Sequence, residues 1–210
     1  MRLRIDLHIH TIHSGDSVIT LGEALDWCRR RGLDGFAVTD HDTVEGLSEI
    51  PEVDDCIIIP GVEVSARGGH ILALGVEEPI PKGLPISETV DLIAAQGGVS
   101  IIAHPYAPLK SRVDADELDG VHLDAVEVAN STQLLYRWTL RRNRRLARRL
   151  GLPETGGSDA HAPWVIGLAY TLIEAEGRSL DAVLKAIRDG RTEAVGRGLK
   201  PLERLRLLLR

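Results

Sequence analysis

The chain has 210 residues, a formal net charge of −6 and two cysteines. That length supports one substantial core and is short for two. The charge argues against the chain as a whole being a general polyanion binder, and Cys28 and Cys56 are too few for a disulfide scaffold or a thiolate zinc knuckle. Aromatic residues make up 3%, so the core must be aliphatic. No apolar run reaches the length of a membrane span. Met1 to His10 alternates charged and apolar residues, unlike a signal peptide. A reducing, cytoplasmic setting is expected.

In chain order, Arg4 to His8 reads as a short strand. Thr20-Leu21-Gly22-Glu23 fits a capping box opening a helix to Arg31, with Gly32 as its stop. Gly35 to Thr39 is a buried strand, and Asp42 or Thr43 caps a short second helix towards Ile50. Cys56 to Ile59 is a strand that Val62 to Val64 extends, and Ile71 to Leu74 is another. Ser87 is expected to cap a helix to Gln96. Strands follow at Val99 to Ala103 and Ala125 to Val128, then a long helix from about Thr132 to Leu150. A short strand or turn at Thr155 to Ser158, a last strand at Leu168 to Ile173, a helix from Ser179 to Gly190 and a short amphipathic helix at Leu202 to Leu209 complete the chain. Aliphatic strands separated by helices predict parallel strands buried on both faces. A full eight-unit barrel takes about 250 residues, so a trimmed or distorted α/β barrel is expected, as a single domain over residues 1–210.

The polar residues of interest recur at the carboxyl ends of these strands, where parallel α/β folds place their chemistry. His8 and His10 lie two apart on one strand, hence on one face. Asp40, His41 and Asp42 end the second strand, and Glu63 and His70 flank the next ones. His104 follows Ala103, Glu127 and Asn130 end a later strand, and Asp159 and His161 follow Ser158. Each of these residues alone is more simply a cap, a turn anchor or a hydrogen-bonded surface residue. Gathered on one rim, so many imidazoles and carboxylates are costly without cations. A His and carboxylate set without cysteine suits Zn²⁺, Mn²⁺ or Fe²⁺ better than Ca²⁺ or Mg²⁺.

Asp6-Leu7-His8-Ile9-His10-Thr11, Ser14-Gly15-Asp16-Ser17, Thr39-Asp40-His41-Asp42, Pro60-Gly61-Val62-Glu63, Gly69-His70, Ala103-His104-Pro105, Glu127-Val128-Ala129-Asn130 and Gly157-Ser158-Asp159-Ala160-His161 resemble, in order, the motifs of the polymerase and histidinol phosphatase (PHP) family. Gly167 and Thr171 resemble its closing glycine and strand threonine. The resemblance implies a distorted (β/α)7 barrel, with motifs over residues 6–161 and residues 165–210 completing it. It implies up to three divalent metal ions. His8, His10, Glu63 and Asp159 would hold the first, Glu63 with His70 and His104 the second, and Asp16, His41 and His161 the third. Asp16 stands where some relatives have His, which favours Mn²⁺ or Fe²⁺ over Zn²⁺. The implied activity is hydrolysis of a phosphate mono- or diester on a nucleotide, an oligonucleotide or a small phosphorylated metabolite. Asp159, His161 and His13 are its candidate catalytic residues. One of Asp40 and Asp42, which flank His41, is expected to orient an imidazole, and Asp6 to do the same for His8 or His10, with turn and helix capping as the alternative; Asn130 is expected to lie beside the ligands or the substrate. His122 reads as an ordinary surface residue. The segment that larger relatives insert after the Glu63 motif is missing, because Gly75 to Pro85 leads directly into the next helix.

Seven arginines, Arg137 to Arg149, fall in one helix without an acid. They read first as a solvated face pairing with acidic neighbours. The functional alternative is that Arg137 and Arg141, nearest Asn130, clamp a phosphorylated substrate. Nucleic acid is a further candidate ligand of this helix, although the arginine motif lacks interleaved aromatics for base stacking. Two competing readings remain: a non-catalytic metal-binding or regulatory module, which loss of ligands would mark, and carbon–nitrogen bond hydrolysis, which the lack of a lysine in the rim motifs disfavours. No membrane association and no obligate protein partner are expected.

Overall fold

The first strand, β1 (Arg2–Ile9), is buried along almost its whole length. It is central to its sheet for that reason, with β2 (Gly35–Val38) parallel on one side. The structure is a computed structural model that describes residues 1–108 and 113–209. The remaining strands are β3 (Ile57–Ile59), β4 (Gly61–Ala66), β5 (Gly69–Leu74), β6 (Val99–Ala103), β7 (Ala125–Asn130), β8 (Glu154–Gly157), β9 (Ala169–Glu174) and β10 (Thr192–Gly196). The helices are α1 (Leu21–Arg31), α2 (Ile86–Ala95), α3 (Tyr136–Leu150), α4 (Leu180–Arg188) and α5 (Pro201–Leu208).

The strands form two five-stranded mixed sheets, ordered β10-β9-β1-β2-β3 and β4-β5-β6-β7-β8. This α/β architecture departs from the all-parallel expectation. β1 pairs with β9, β9 with β10, β4 with β5 and β5 with β6 in antiparallel register. β4 and β5 are joined only by Arg67 and Gly68, the latter with φ 96°, and a two-residue connection can join only antiparallel neighbours. No closed barrel is found among the described residues. The sheets approach instead through isolated bridges, Ile9 with Ala160 and His41 with Glu63, both at the end where the motif residues gather.

Between the sheets lies an aliphatic cluster containing Leu3, Ile5, Leu7, Ile59, Leu72 and Ile101, with α4 packed into it. A second cluster packs α2 and α3 on the other sheet, and a third packs α1 and Phe36 on the first. The helix ends show which local signals governed. Thr20 Oγ1 accepts the Glu23 N–H at 3.2 Å while Glu23 accepts the Thr20 N–H at 3.0 Å, and Gly32 closes α1 with φ 62°. Thr20→Ala is therefore expected to cost about 1 kcal/mol, measured by urea denaturation; an unchanged midpoint would contradict this role for the cap.

Other ends differ from expectation. The segment after Asp42 is a 3-10 turn, Glu45–Glu49. Thr43 Oγ1 accepts the Glu45 N–H there, whereas Asp42 accepts the N–H of Ser65. Ser87 does not cap α2. Pro85 precedes that helix, and its carbonyl accepts the N–H of Thr89. α3 starts at Tyr136 rather than Thr132, because Leu135 is left-handed at φ 55° and breaks the helical path.

Candidate metal centre

Glu63 sits in the middle of β4, wholly buried. Its Oε2 lies 3.2 Å from His8 Nε2, 3.2 Å from His10 Nε2 and 3.1 Å from His41 Nδ1. Its Oε1 lies 2.8 Å from His70 Nδ1 and 3.0 Å from His104 Nε2. One carboxylate thus collects five imidazoles from strands and strand ends of both sheets. Asp159 adds a second carboxylate, with Oδ1 3.5 Å from His8 Nε2 and 3.3 Å from His10 Nε2. At the open edge, exposed Asp16 places Oδ2 3.2 Å from His161 Nε2 and 3.6 Å from His41 Nε2. The sequence-nominated ligands are therefore brought together. Among the described residues, four overlapping groups have donor atoms close enough to share an ion: His8, His10 and Glu63; His8, His104 and Asp159; His41, Glu63 and His70; His10, His41 and His161.

The surroundings orient these rings. His8 Nδ1 is 2.9 Å from Glu127 Oε1, and Glu127 Oε2 accepts the backbone N–H of His104 at 2.9 Å and the Asn130 amide at 3.0 Å. Glu127 is thus the hub that sets both His8 and His104, a role the sequence reading did not give it. His10 Nδ1 is 3.0 Å from Ser14 Oγ, which also accepts the His41 N–H. Thr132, also not anticipated, donates to Asp159 Oδ2 at 2.6 Å, and with its N–H also meets Asn130 Oδ1. Glu127→Gln leaves one acceptor oxygen for these two sets of donors, so His8 or His104 loses its outer partner, and such partners are commonly worth about 10- to 100-fold in metal affinity or activity. Glu127→Gln is accordingly expected to weaken divalent-metal affinity by about tenfold or more, read by competition with a chromogenic chelator; unchanged affinity would remove Glu127 from the site.

The three acids expected to orient imidazoles serve the backbone instead. Asp6 accepts N–H groups of Ser158 and Gly167 at 2.8 Å each and of His8 at 3.3 Å, tying β1 to the loop after β8. Asp40 accepts the Thr11 N–H and hydroxyl at 2.5 and 2.7 Å. Asp42 holds Ser65. Backbone N–H groups at these loop corners have no ladder partner, and a short carboxylate satisfies them best. His13 also stands outside the cluster: its Nε2 is 3.2 Å from Glu49 Oε1 on the 3-10 turn. Arg137 and Arg141 are exposed on α3 and make no hydrogen bond or ion pair to any residue of the cluster.

Strain is concentrated here. Four non-glycine residues have positive φ among the described residues, and His104 (29°), Asp159 (56°) and Asp42 (53°) are three of them. Such conformations persist where surrounding contacts over-determine them, commonly at functional sites. His104 is pinned by its N–H to Glu127, and Asp159 by its N–H to the His8 carbonyl at 2.8 Å.

The electrostatics match a cation site. Burial pushes the Glu63 carboxyl up, yet the His8 ring and hydrogen bonds from His10, His104 and His70 hold it well below the usual carboxylate range. Burial opposes charge on His8 too, but Glu127, Glu63 and Asp159 drive its pKa well above the ordinary imidazole value. For Asp16 burial likewise acts upward, and the His161 contact brings it down to about 2. Burial lowers His41 to about 4. Two ring nitrogens, His8 Nε2 and His10 Nε2, face each other at 3.0 Å, an arrangement that a shared cation accounts for without unfavourable lone-pair contact. The donor set, nitrogen-rich with carboxylates and no sulfur, fits first-row divalent ions.

Comparison with known proteins agrees with this geometry. Residues 6–78 match the model of the PHP domain, and residues 137–192 match a PHP-associated model. The chain is 34% identical over 142 residues to the uncharacterized protein MJ1587 of Methanocaldococcus jannaschii, covering 61% of this chain and 82% of that one. It is 27% identical over 214 residues to a probable phosphatase of Shewanella piezotolerans, covering 83% and 86% respectively. The fold resembles a crystal structure from Bacteroides vulgatus of a two-domain protein containing a predicted PHP-like metal-dependent phosphoesterase. That match has a TM-score of 0.72 and 21% identity, and it covers all of this chain and 69% of that one. Motif order, ligand clustering and these matches agree, and the chain belongs to the PHP family.

Proposed function

We propose that the protein is a metal-dependent phosphoesterase that hydrolyses a phosphate mono- or diester. The observation that carries this reading is the buried Glu63 carboxylate with five imidazoles within 3.2 Å. In this reading His8, His10, Glu63 and Asp159 hold one divalent ion, Glu63 with His70 and His104 a second, and Asp16, His41 and His161 a third, with Mn²⁺, Zn²⁺ and Fe²⁺ as the candidate metals. Bound there, such ions polarise phosphoryl oxygens and acidify water.

The chain's own residues do the rest. Thr132 holds one Asp159 oxygen while the other faces the His8 and His10 rings, where the carboxylate serves the ion and hydrogen-bonds to the attacking water. His161, on the same loop and nearly buried, borders the leaving group. His13, engaged with Glu49, has no part in it. A cavity of about 400 Å³ beside His104 and Asp159, walled by Ala107, Leu134 and Leu208, offers an apolar seat for the organic half of the ester.

The test is turnover of p-nitrophenyl phosphate, bis-p-nitrophenyl phosphate and nucleotides, before and after chelation and with each metal added back. Turnover of at least one ester class, lost on chelation and restored by Mn²⁺, Zn²⁺ or Fe²⁺, is expected. No turnover with any of them would reject catalysis and favour a non-catalytic metal-binding module.

A further inference from the structure

A second feature lies on the other side of the loop that carries His104. A cleft of about 620 Å³ runs along α3, lined by Tyr106, Trp138, Arg141, Arg142, Arg145 and Arg149 among others. The Arg142 guanidinium is stacked between two rings, 4.3 Å from the Tyr106 centroid and 4.9 Å from that of Trp138. The aromatics missing from the sequence reading are therefore present: Trp138 stands in the helix itself, and Tyr106 arrives from the loop. Trp138 is 46% exposed, so its ring remains available for a further stack.

The arginines divide into two groups. Arg144 is paired with Glu154 at 2.9 Å, and Arg149 with Asp116 and Asp119 at 2.6 and 3.1 Å. Arg141, Arg142 and Arg145 have no acidic partner among the described residues. Unpaired guanidiniums gathered along one cleft repel each other, and their compensation is external. From Trp138 through the last unpaired arginine, Arg145, the row spans about 10 Å at 1.5 Å per helical residue. A single phosphate satisfies one or two guanidiniums; a row of this length with open aromatic faces matches a chain of phosphates carrying unpaired bases.

We propose that this cleft binds single-stranded nucleic acid, with phosphates on Arg141, Arg142 and Arg145 and a base on Trp138. Tyr106 is two residues from His104, so a strand in the cleft runs to the rim of the metal centre. That this strand is also the substrate rests on the phosphoesterase reading; its binding does not.

The test is fluorescence anisotropy with a labelled 12-nucleotide oligothymidylate in EDTA, over 50–200 mM NaCl. The wild-type protein is expected to bind with Kd in the range of about 10⁻⁴ to 10⁻⁶ M, weakening as salt rises. Arg141→Glu with Arg145→Glu alters two exposed side chains. It is expected to weaken binding at least about tenfold and to reduce the salt slope by about 1.4, at about 0.7 per phosphate contact. Trp138→Ala is expected to weaken binding about fivefold or more, with the salt slope unchanged. Circular dichroism confirms that each variant is folded. Equal affinity of wild type and the double variant would overturn the proposal, as would equal affinity for an acidic peptide such as oligoglutamate, which would mark a protein-binding surface. No strand binding alongside intact, metal-dependent turnover of small esters would reject the cleft and leave the phosphoesterase reading standing; strand binding without any turnover would do the reverse.

Discussion

Glu63→Gln is expected to lower kcat/KM by at least about 10³-fold, equivalent to about 4 kcal/mol at 1.36 kcal/mol per decade, while the protein remains folded. The amide keeps the volume of the carboxylate but removes its charge and one acceptor oxygen. Five imidazoles now within 3.2 Å of that carboxylate would lose their common counter-charge. The site groups that share Glu63 include His8 and His10 on one side and His41 and His70 on the other, so a single change empties more than one of them. Wild-type turnover in the variant, assayed at saturating metal, would show that Glu63 is a structural anchor and not part of the chemistry.

Gly157→Ala is the second large effect, and it acts through packing. A Cβ at Gly157 would lie 2.4 Å from His8 Cβ, 2.9 Å from Glu127 Oε1 and 3.0 Å from the His8 nitrogen. Two of these atoms belong to the His8 main chain and Cβ, and the third, Glu127 Oε1, is held by the His8 ring, so β1 and β8 must separate or the His8 ring must shift. Overpacking of this kind costs about 1–3 kcal/mol, or a drop in Tm of several degrees at about 2–4 °C per kcal/mol for a chain of this size. Activity should fall further than stability does, because His8 and its partner Glu127 are both displaced. Gly22→Ala, where an added Cβ meets nothing within 4 Å, is the control and should leave kcat unchanged and Tm unchanged or raised, because alanine is the better helix former in α1. A Gly157→Ala variant with unaltered Tm and kcat would contradict this account of how β8 positions His8.

What was legible in the sequence follows from how local each signal is. The capping box at Thr20 and the glycine stop at Gly32 involve neighbours three or four residues apart, and they appear as read. The His8 and His10 pair rests on strand periodicity, and both side chains reach Glu63. Strand direction carries no such signature. The one available hint at β4 and β5 was the short Arg67-Gly68 connection, which an emphasis on strand–helix alternation passes over. β10 was missed because only Ala194 is buried in it, so it has almost no hydrophobic pattern. The start of α3 depends on the left-handed Leu135, which its residue type does not announce.

The site shows the same division. Motif residues could be nominated one by one, Asn130 among them, which bonds to Glu127, but the pairings of the outer residues could not. Glu127 is 119 residues from His8, and Thr132 is 27 residues from Asp159; no spacing rule links either pair. Asp6, Asp40 and Asp42 were assigned to imidazoles because they are adjacent to them in sequence. Sequence proximity does not decide the partner: Asp6 shares a strand face with His8, and Asp40 and Asp42 lie beyond the end of β2, yet backbone N–H groups of crossing segments claimed all three carboxylates. Charge alone marks the arginine helix in the sequence, and the contact between Arg142 and Tyr106 joins segments that no spacing rule links.

The central claim is that the cluster around Glu63 is a polynuclear metal centre. The measurement that tests it most directly is the divalent-metal content of the purified protein by inductively coupled plasma mass spectrometry, with Glu63→Gln prepared in parallel. More than one equivalent of Mn, Zn or Fe per wild-type chain, falling by at least one equivalent in the variant, is predicted. A wild-type chain that holds no divalent metal after equilibration with each of these ions would contradict it.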